Sequence, residues 1–484
     1  MSPQAVGFAL LILGAGLLLG KVIRVKVRWV QSLFLPSSII GGTIFLLFGP
    51  QVLGRFNGPW GENGLFTEAM VSTWSALPGL LISVVFATMF LGQEIPSPKQ
   101  AAKLVGPQLA LGTAFASSQY VVGLLIAALI LVPLFSASPM TGALIEMAFE
   151  GGHGTAAGMR EVMVSLGFEE GADLAVGLAT VGLVSGIVVG IALINWGVRT
   201  GKTEILKGDV QLSVEEQKGL FRKDEYYPAG KLTSRPASVE PLSLHMAIMA
   251  VAILIGWVIL EALRWIEKAT YAHVMLDENT RLEIFAYVPL FPMALLGGVI
   301  LQLAAKAMGV ARFIDPQMML RIQGWALDFL VISAIATLSI KAVGQNLGAF
   351  LLLSLGGILI NVFLFVWLTP RVIGRYWFER GIGDFGQSMG VTATGVILMR
   401  ITDPDAVSPA FEAFGYKQLI FEPFFGGGLV TAMAIPVIYL TGIWPLFFVM
   451  LAIFLTAILS GLFYFGPREV REREKHFRGT ASEG

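Results

Sequence analysis

The chain has 484 residues, 55% of them hydrophobic and 14% charged, with a mean hydropathy of +0.75. That is too much apolar surface for a soluble fold of one to three domains, and it implies an all-α polytopic membrane protein. Lys plus Arg equal Asp plus Glu at 33 each, so bulk charge gives no argument for a nucleic-acid partner, and the absence of cysteine excludes disulfides, thiolate metal sites and a cysteine nucleophile.

The stretch from Val6 to Leu19 is apolar and is followed, not preceded, by Lys21, Arg24, Lys26 and Arg28, which reads as a retained transmembrane helix and not a signal peptide. Since ~20 apolar residues span a bilayer, spans are predicted near 4–20, 37–53, 74–92, 104–133, 171–197, 242–266, 285–306, 324–343, 347–370, 414–439 and 443–466, eleven in all. Two further apolar stretches, about 139–166 and 376–402, are interrupted by glycine-rich segments. The first is Glu150-Gly-Gly-His-Gly-Thr-Ala-Ala-Gly158 and the second Gly383-Asp-Phe-Gly-Gln-Ser-Met-Gly390. In lipid an unpaired backbone amide or carbonyl costs several kcal/mol, so such segments persist at membrane depth only when buried in protein or lining a wet cavity. Both are therefore read as re-entrant hairpins, where membrane transporters place their ligands.

Lys and Arg concentrate in cytoplasmic loops. With the N-terminus outside, 25 of the 33 fall on the inner side, only Arg55, Arg264, Lys268, Arg281 and Lys341 fall outside, and Arg160, Arg400 and Lys417 belong to the hairpin regions. The C-terminus is then inside, the first hairpin opens from the outside and the second from the cytoplasm.

An internal repeat emerges from the same pass. Pro36-Ser-Ser-Ile-Ile-Gly-Gly42 recurs as Pro292-Met-Ala-Leu-Leu-Gly-Gly298, and Ala76-Leu-Pro-Gly-Leu-Leu-Ile-Ser83 as Ala326-Leu-Asp-Phe-Leu-Val-Ile-Ser333. The hairpin glycines follow in the same order, and an odd number of spans per half inverts the second copy. The expected divisions are an N-terminal repeat at 1–197, a cytoplasmic linker at 198–241, a C-terminal repeat at 242–440, and an extra span with a cytoplasmic tail at 441–484.

Hairpin tips entering from opposite sides can meet near the midplane. Half-helix N-termini there offer amides and partial positive charge to a carboxylate, while unwound carbonyls and hydroxyls can surround a cation. Gly151, Gly152, His153, Gly154 and Thr155 of the first hairpin are candidate substrate contacts. Gly386, Gln387, Ser388, Gly390 and Thr392 are their counterparts in the second, and the glycines of either motif can instead serve only close helix packing. Arg400 and Arg160, on the outgoing arms, have the forked guanidinium that suits a carboxylate, or can snorkel to a membrane face. Asp384, Asp328, Asn361 and Thr394 are candidate cation ligands, with a salt bridge or a place at the cytoplasmic rim as the alternatives for Asp384. Glu146 and Glu150 flank the first tip, either as vestibule wall or as coupling groups.

The chain also resembles the bacterial sodium/glutamate symporters. The resemblance rests on Leu35-Pro-Ser-Ser-Ile-Ile-Gly-Gly42 after a basic loop, Phe86-Ala-Thr-Met89, Gly151-Gly-His-Gly-Thr155, Ala175 to Gly190, Gly383 to Thr394 and the Phe-Gly-Gly-Gly run at 425–428. It spans roughly residues 1–440 and implies two inverted repeats of five transmembrane helices, each with a re-entrant hairpin. It further implies a homodimer in the inner (plasma) membrane that moves a transport domain against a scaffold. The sequence departs from that pattern where Asp384, Gln387 and Ser388 stand for His, Phe and Gly of the family's second loop, and in the extra C-terminal span.

Together these readings predict a sodium-coupled symporter of glutamate or a related small carboxylate, needing no cofactor beyond the coupling ion. Proton coupling and a channel-like pore are the alternatives. No metalloprotease, hydrolase or P-loop motif occurs, which argues against an enzyme or an ATP-driven pump.

Overall fold

The computed structural model describes residues 3–56, 61–94, 98–206, 215, 218–221, 228–271, 285–404, 406–469 and 471, with backbone alone for 98–104 and 271. Much of the predicted linker, Arg281 of the charge count, and the tail beyond 471 lie outside the described residues.

All regular structure among the described residues is helical. In chain order the principal helices are α1 (Pro3–Lys26), α2 (Ser37–Phe48), α3 (Glu68–Thr88), α4 (Pro98–Ile126), α5 (Leu144–Phe149), α6 (Gly152–Gly158), α7 (Arg160–Ser165) and α8 (Glu169–Arg199). The second half continues with α9 (Pro241–Tyr271), α10 (Leu290–Ala307), α11 (Pro316–Ala336), α12 (Leu347–Trp367), α13 (Trp377–Thr402), α14 (Ala410–Phe421), α15 (Leu429–Thr441) and α16 (Ile443–Leu459). Ten helices among the described residues are long and apolar enough to cross a membrane, so the chain is a multi-pass membrane protein.

The tenth predicted span, 414–439, is not one helix. It is α14 and α15 separated by 422–428, where Gly426 and Gly427 adopt φ +68° and +105°. Hydropathy does not register such a break, because the glycines that permit it are no more polar than their neighbours.

The helices assort into two compact units, each drawn from three segments of chain. The first unit comprises 1–95, 153–177 and 213–345. Within it α1 packs on α2 and α9 on α10, α2 packs on α11 and α10 on α3, and α3 packs on α11. Exchanging α1, α2 and α3 for α9, α10 and α11 leaves that list unchanged. The repeated glycine pair accounts for the close approaches. A Cβ on Gly41 would stand 2.6 Å from the Gly16 carbonyl of α1, and one on Gly42 would stand 2.8 Å from Cβ of Ile335 in α11. Gly297 likewise abuts the Ala252 carbonyl of α9, and Gly298 the Ala87 carbonyl of α3. The helices that receive the second glycine also start alike: Thr67 caps α3 by accepting the Met70 amide, and Asp315 caps α11 by accepting that of Met318. Such caps contribute about 1 kcal/mol each.

The second unit comprises 96–152, 178–212 and 346–484. Here α4 is the hub, packed on α12, α13, α14 and α16. The helix α13 is broken at Gly390 (φ −153°, ψ 46°) and Val391 (φ 58°, ψ 176°), and its two arms fold back on each other. A Cβ on Gly383 would lie 2.6 Å from the Met399 sulfur, and one on Gly386 2.7 Å from the Gly395 Cα, so glycines on facing positions let the arms close. This corrects the sequence expectation that 383–390 is itself the irregular tip. Residues 383–389 are the last turns of a regular incoming arm, and the tip is Gly390-Val391.

Candidate functional site

The break in α13 strips the end of its incoming arm of hydrogen-bond donors, because carbonyls in the last turn have no amide four residues ahead. Side chains from two neighbouring helices supply what is missing. The Ser388 carbonyl accepts from Gln119 Nε2 of α4 at 2.7 Å and from Asn361 Nδ2 of α12 at 2.8 Å. Gln119 Nε2 also reaches Asn361 Oδ1 at 3.3 Å, and on the far side of the break Thr394 Oγ1 donates to the Gly390 carbonyl at 2.6 Å. The Ser388 hydroxyl donates in turn to Glu150 Oε1 at 2.7 Å.

Of the groups gathered on Ser388, Glu150 Oε2 and Gln119 Oε1 are left fully enclosed with no hydrogen-bond partner among the described residues. Both belong to side chains anchored on Ser388. A buried acceptor left unmet costs about 1–3 kcal/mol, and a carboxylate in a membrane interior marks a functional site unless it is paired. Acceptor oxygens of this kind suit a hard cation or a proton.

Glu146, one turn earlier on α5, is in the opposite condition. Its Oε2 accepts the Tyr120 hydroxyl at 2.5 Å, and its Oε1 accepts the Gly426 amide and the Thr431 hydroxyl, each at 2.8 Å. It is a latch that holds the glycine loop between α14 and α15. Thr392, just past the break, donates to Glu422 Oε1 at 2.9 Å and accepts from Gln418 at 2.7 Å.

Asp384 is fully buried and committed. Its Oδ2 accepts from Gln108 Nε2, and its Oδ1 lies 3.0 Å from Lys417 Nζ, within an ion pair whose partners are both sealed from solvent. Gln108 Oε1 accepts from Arg380, which pairs with Glu469 at 3.1 Å. Gln387 accepts from Lys417.

The remaining predicted residues fall elsewhere. His153, Gly154 and Thr155 belong to the first unit, as does Asp328, which is hydrogen-bonded to Ser38. Gly154 and Gly158 there face Ile82, with a Cβ at 3.1 Å and 2.9 Å, so these two glycines serve helix packing. Gly152 remains with the second unit, has φ +67°, and abuts the Val391 side chain at the break of α13. Gly151 is partly buried, and its amide donates to the Glu146 carbonyl at 3.1 Å. Arg160 pairs with Asp173 at 3.3 Å. Arg400 is exposed at the end of the outgoing arm, apart from the buried cluster. Sequence reading missed Gln119 and Lys417; the signal for each was a long polar side chain inside an apolar helical run.

Long apolar helices around a broken hairpin, with buried oxygens left open beside the break, are the build of a membrane transport protein. The family model described as sodium/glutamate symporter matches residues 5–404. The chain therefore belongs to the sodium/glutamate symporter family, a family of membrane transporters that couple sodium to glutamate. No curated protein and no solved structure matches the chain.

Proposed function

We propose that the protein is a secondary active transporter that moves glutamate or a related small carboxylate together with sodium, by elevator-like alternating access, with the second unit as the moving part. The observation that carries this reading is the pair of enclosed, unpartnered oxygens, Glu150 Oε2 and Gln119 Oε1, both tied to Ser388 at the broken hairpin. Glu150, Gln119 and Ser388 would hold the coupling ion, which supplies the positive charge that a buried carboxylate otherwise lacks. Val391, strained into the left-handed region, and Gly152 would shape the neighbouring surface for the substrate.

The elevator reading draws support from how the chain is divided. The first three spans of each half enter one unit and the fourth span of each half enters the other; the second hairpin lies wholly in the second unit, while the first is divided between the units after Gly152. An inverted repeat accounts for that division and for the exchangeable packing of α1–α3 and α9–α11. On the family's pattern the protein would act as a homodimer in the inner membrane, N-terminus outside and C-terminus cytoplasmic.

The test is uptake of labelled glutamate, aspartate and dicarboxylates into proteoliposomes under imposed sodium or proton gradients. Saturable uptake driven by sodium supports the proposal, and uptake indifferent to sodium rejects it. Proton coupling is the second reading, favoured by Glu150 having a single hydroxyl partner and therefore room to carry a proton; uptake driven by a proton gradient alone would select it.

A further inference from the structure

Lys417 sits in the middle of α14, beyond the segment that the family model matches, and its side chain is 1% exposed. A lysine rarely goes so deep without a partner, and here a slot is built for it. Gly112 of α4 leaves room for the stem, a Cβ there standing 3.0 Å from Lys417 Cε. The ammonium lies over the Phe421 ring at 4.3 Å and the Phe414 ring at 5.1 Å, donates to Gln387, and stands 3.0 Å from Asp384 Oδ1. Gln387 and Asp384 are one turn apart on the incoming arm of the broken hairpin, and all of these residues belong to the second unit. Aromatic faces, an amide oxygen and a carboxylate are what a cation of any kind would be offered at this place.

We infer that Lys417 is a tethered cation, standing where a bound ion would otherwise neutralise Asp384, so that Asp384 crosses the membrane already paired and is not a ligand of the coupling ion. The inference rests on the proposed symport, because it divides the two buried carboxylates nearest the break into different roles. Asp384 carries its counter-charge with it, whereas Glu150, with an open oxygen, exchanges its own. A neutral pair costs nothing from the ion gradient, and a carboxylate that must recruit sodium adds one ion to each cycle.

The experiment compares wild type, Lys417→Met and the double variant Asp384→Asn/Lys417→Met, reconstituted for uptake and, in detergent, melted in sodium chloride and in choline chloride. Lys417→Met leaves Asp384 buried without its paired ammonium, so it should recruit sodium. Its uptake should depend more steeply on sodium, with a half-saturating concentration raised about tenfold, and its melting temperature should gain a sodium dependence larger than that of wild type. The double variant removes both charges and should return both readouts to the wild-type sodium response. A Lys417→Met variant with a wild-type sodium curve, or a double variant with a shifted one, overturns the inference. Where Lys417→Met does not accumulate, the double variant decides alone: a wild-type sodium curve supports a tethered cation, and a shifted curve makes Asp384 an ion ligand. Should wild-type uptake ignore sodium, the proposed symport fails, and the melting comparison between the two variants still decides the role of Lys417.

Discussion

Gly152 and Val391 meet where their two helical segments break. Each has positive φ, +67° and +58°, and a methyl group on Gly152 would run into Val391 Cγ1. Left-handed backbone costs an L-residue roughly 1–2 kcal/mol, and overpacking adds about 1–3 kcal/mol. Gly152→Ala should therefore cut uptake by at least about tenfold, measured at matched protein levels in the membrane. Adding Val391→Ala removes the clash but not the strain, so it should recover part of the loss. Wild-type transport by Gly152→Ala would show that this contact has no part in the cycle.

Gly386 predicts a different signature. It lies on a regular arm and lets the Gly395 backbone close against it, so Gly386→Ala should separate the arms and lower the melting temperature in step with uptake. A stable Gly386→Ala protein that has lost uptake would instead return this glycine to direct ligand contact.

Glu150→Gln replaces the charged oxygen at the candidate ion site while keeping its shape and its acceptance of the Ser388 hydroxyl. Loss of a charged ligand to a hard cation should raise the sodium concentration for half-maximal uptake by about tenfold or more, with expression unchanged. Glu146→Gln, by contrast, weakens three hydrogen bonds that latch the glycine loop, and should lower thermal stability by about 1–3 kcal/mol with little change in sodium affinity. Exchange of these two phenotypes would exchange the assigned roles.

The orientation expected from the lysine and arginine distribution is checked readily, because the chain has no cysteine of its own. Ser136→Cys, exposed after α4, should react with an impermeant thiol reagent on intact cells. Ser238→Cys, exposed before α9, should react only after permeabilisation. The reverse pattern would invert the topology.

Composition and apolar run length were enough to establish a helical membrane protein, because spanning a bilayer imposes a length and a polarity that a linear reading measures directly. The recurring glycine pair was legible for a related reason. Gly41-Gly42 and Gly297-Gly298 are needed wherever two helix backbones must touch, and those contacts recur in both halves. The glycine breaks were legible in kind but displaced in place. The residues 383–389 look irregular in sequence, yet facing glycines on the two arms pack them as ordinary helix and move the break to Gly390-Val391. What only the tertiary structure decided is which polar groups meet. Ser388 joins Gln119, 269 residues away, and Glu150, 238 away, while Lys417 pairs with Asp384. Side-chain partnership in a membrane interior depends on which helices are neighbours, and hydropathy carries no information about that.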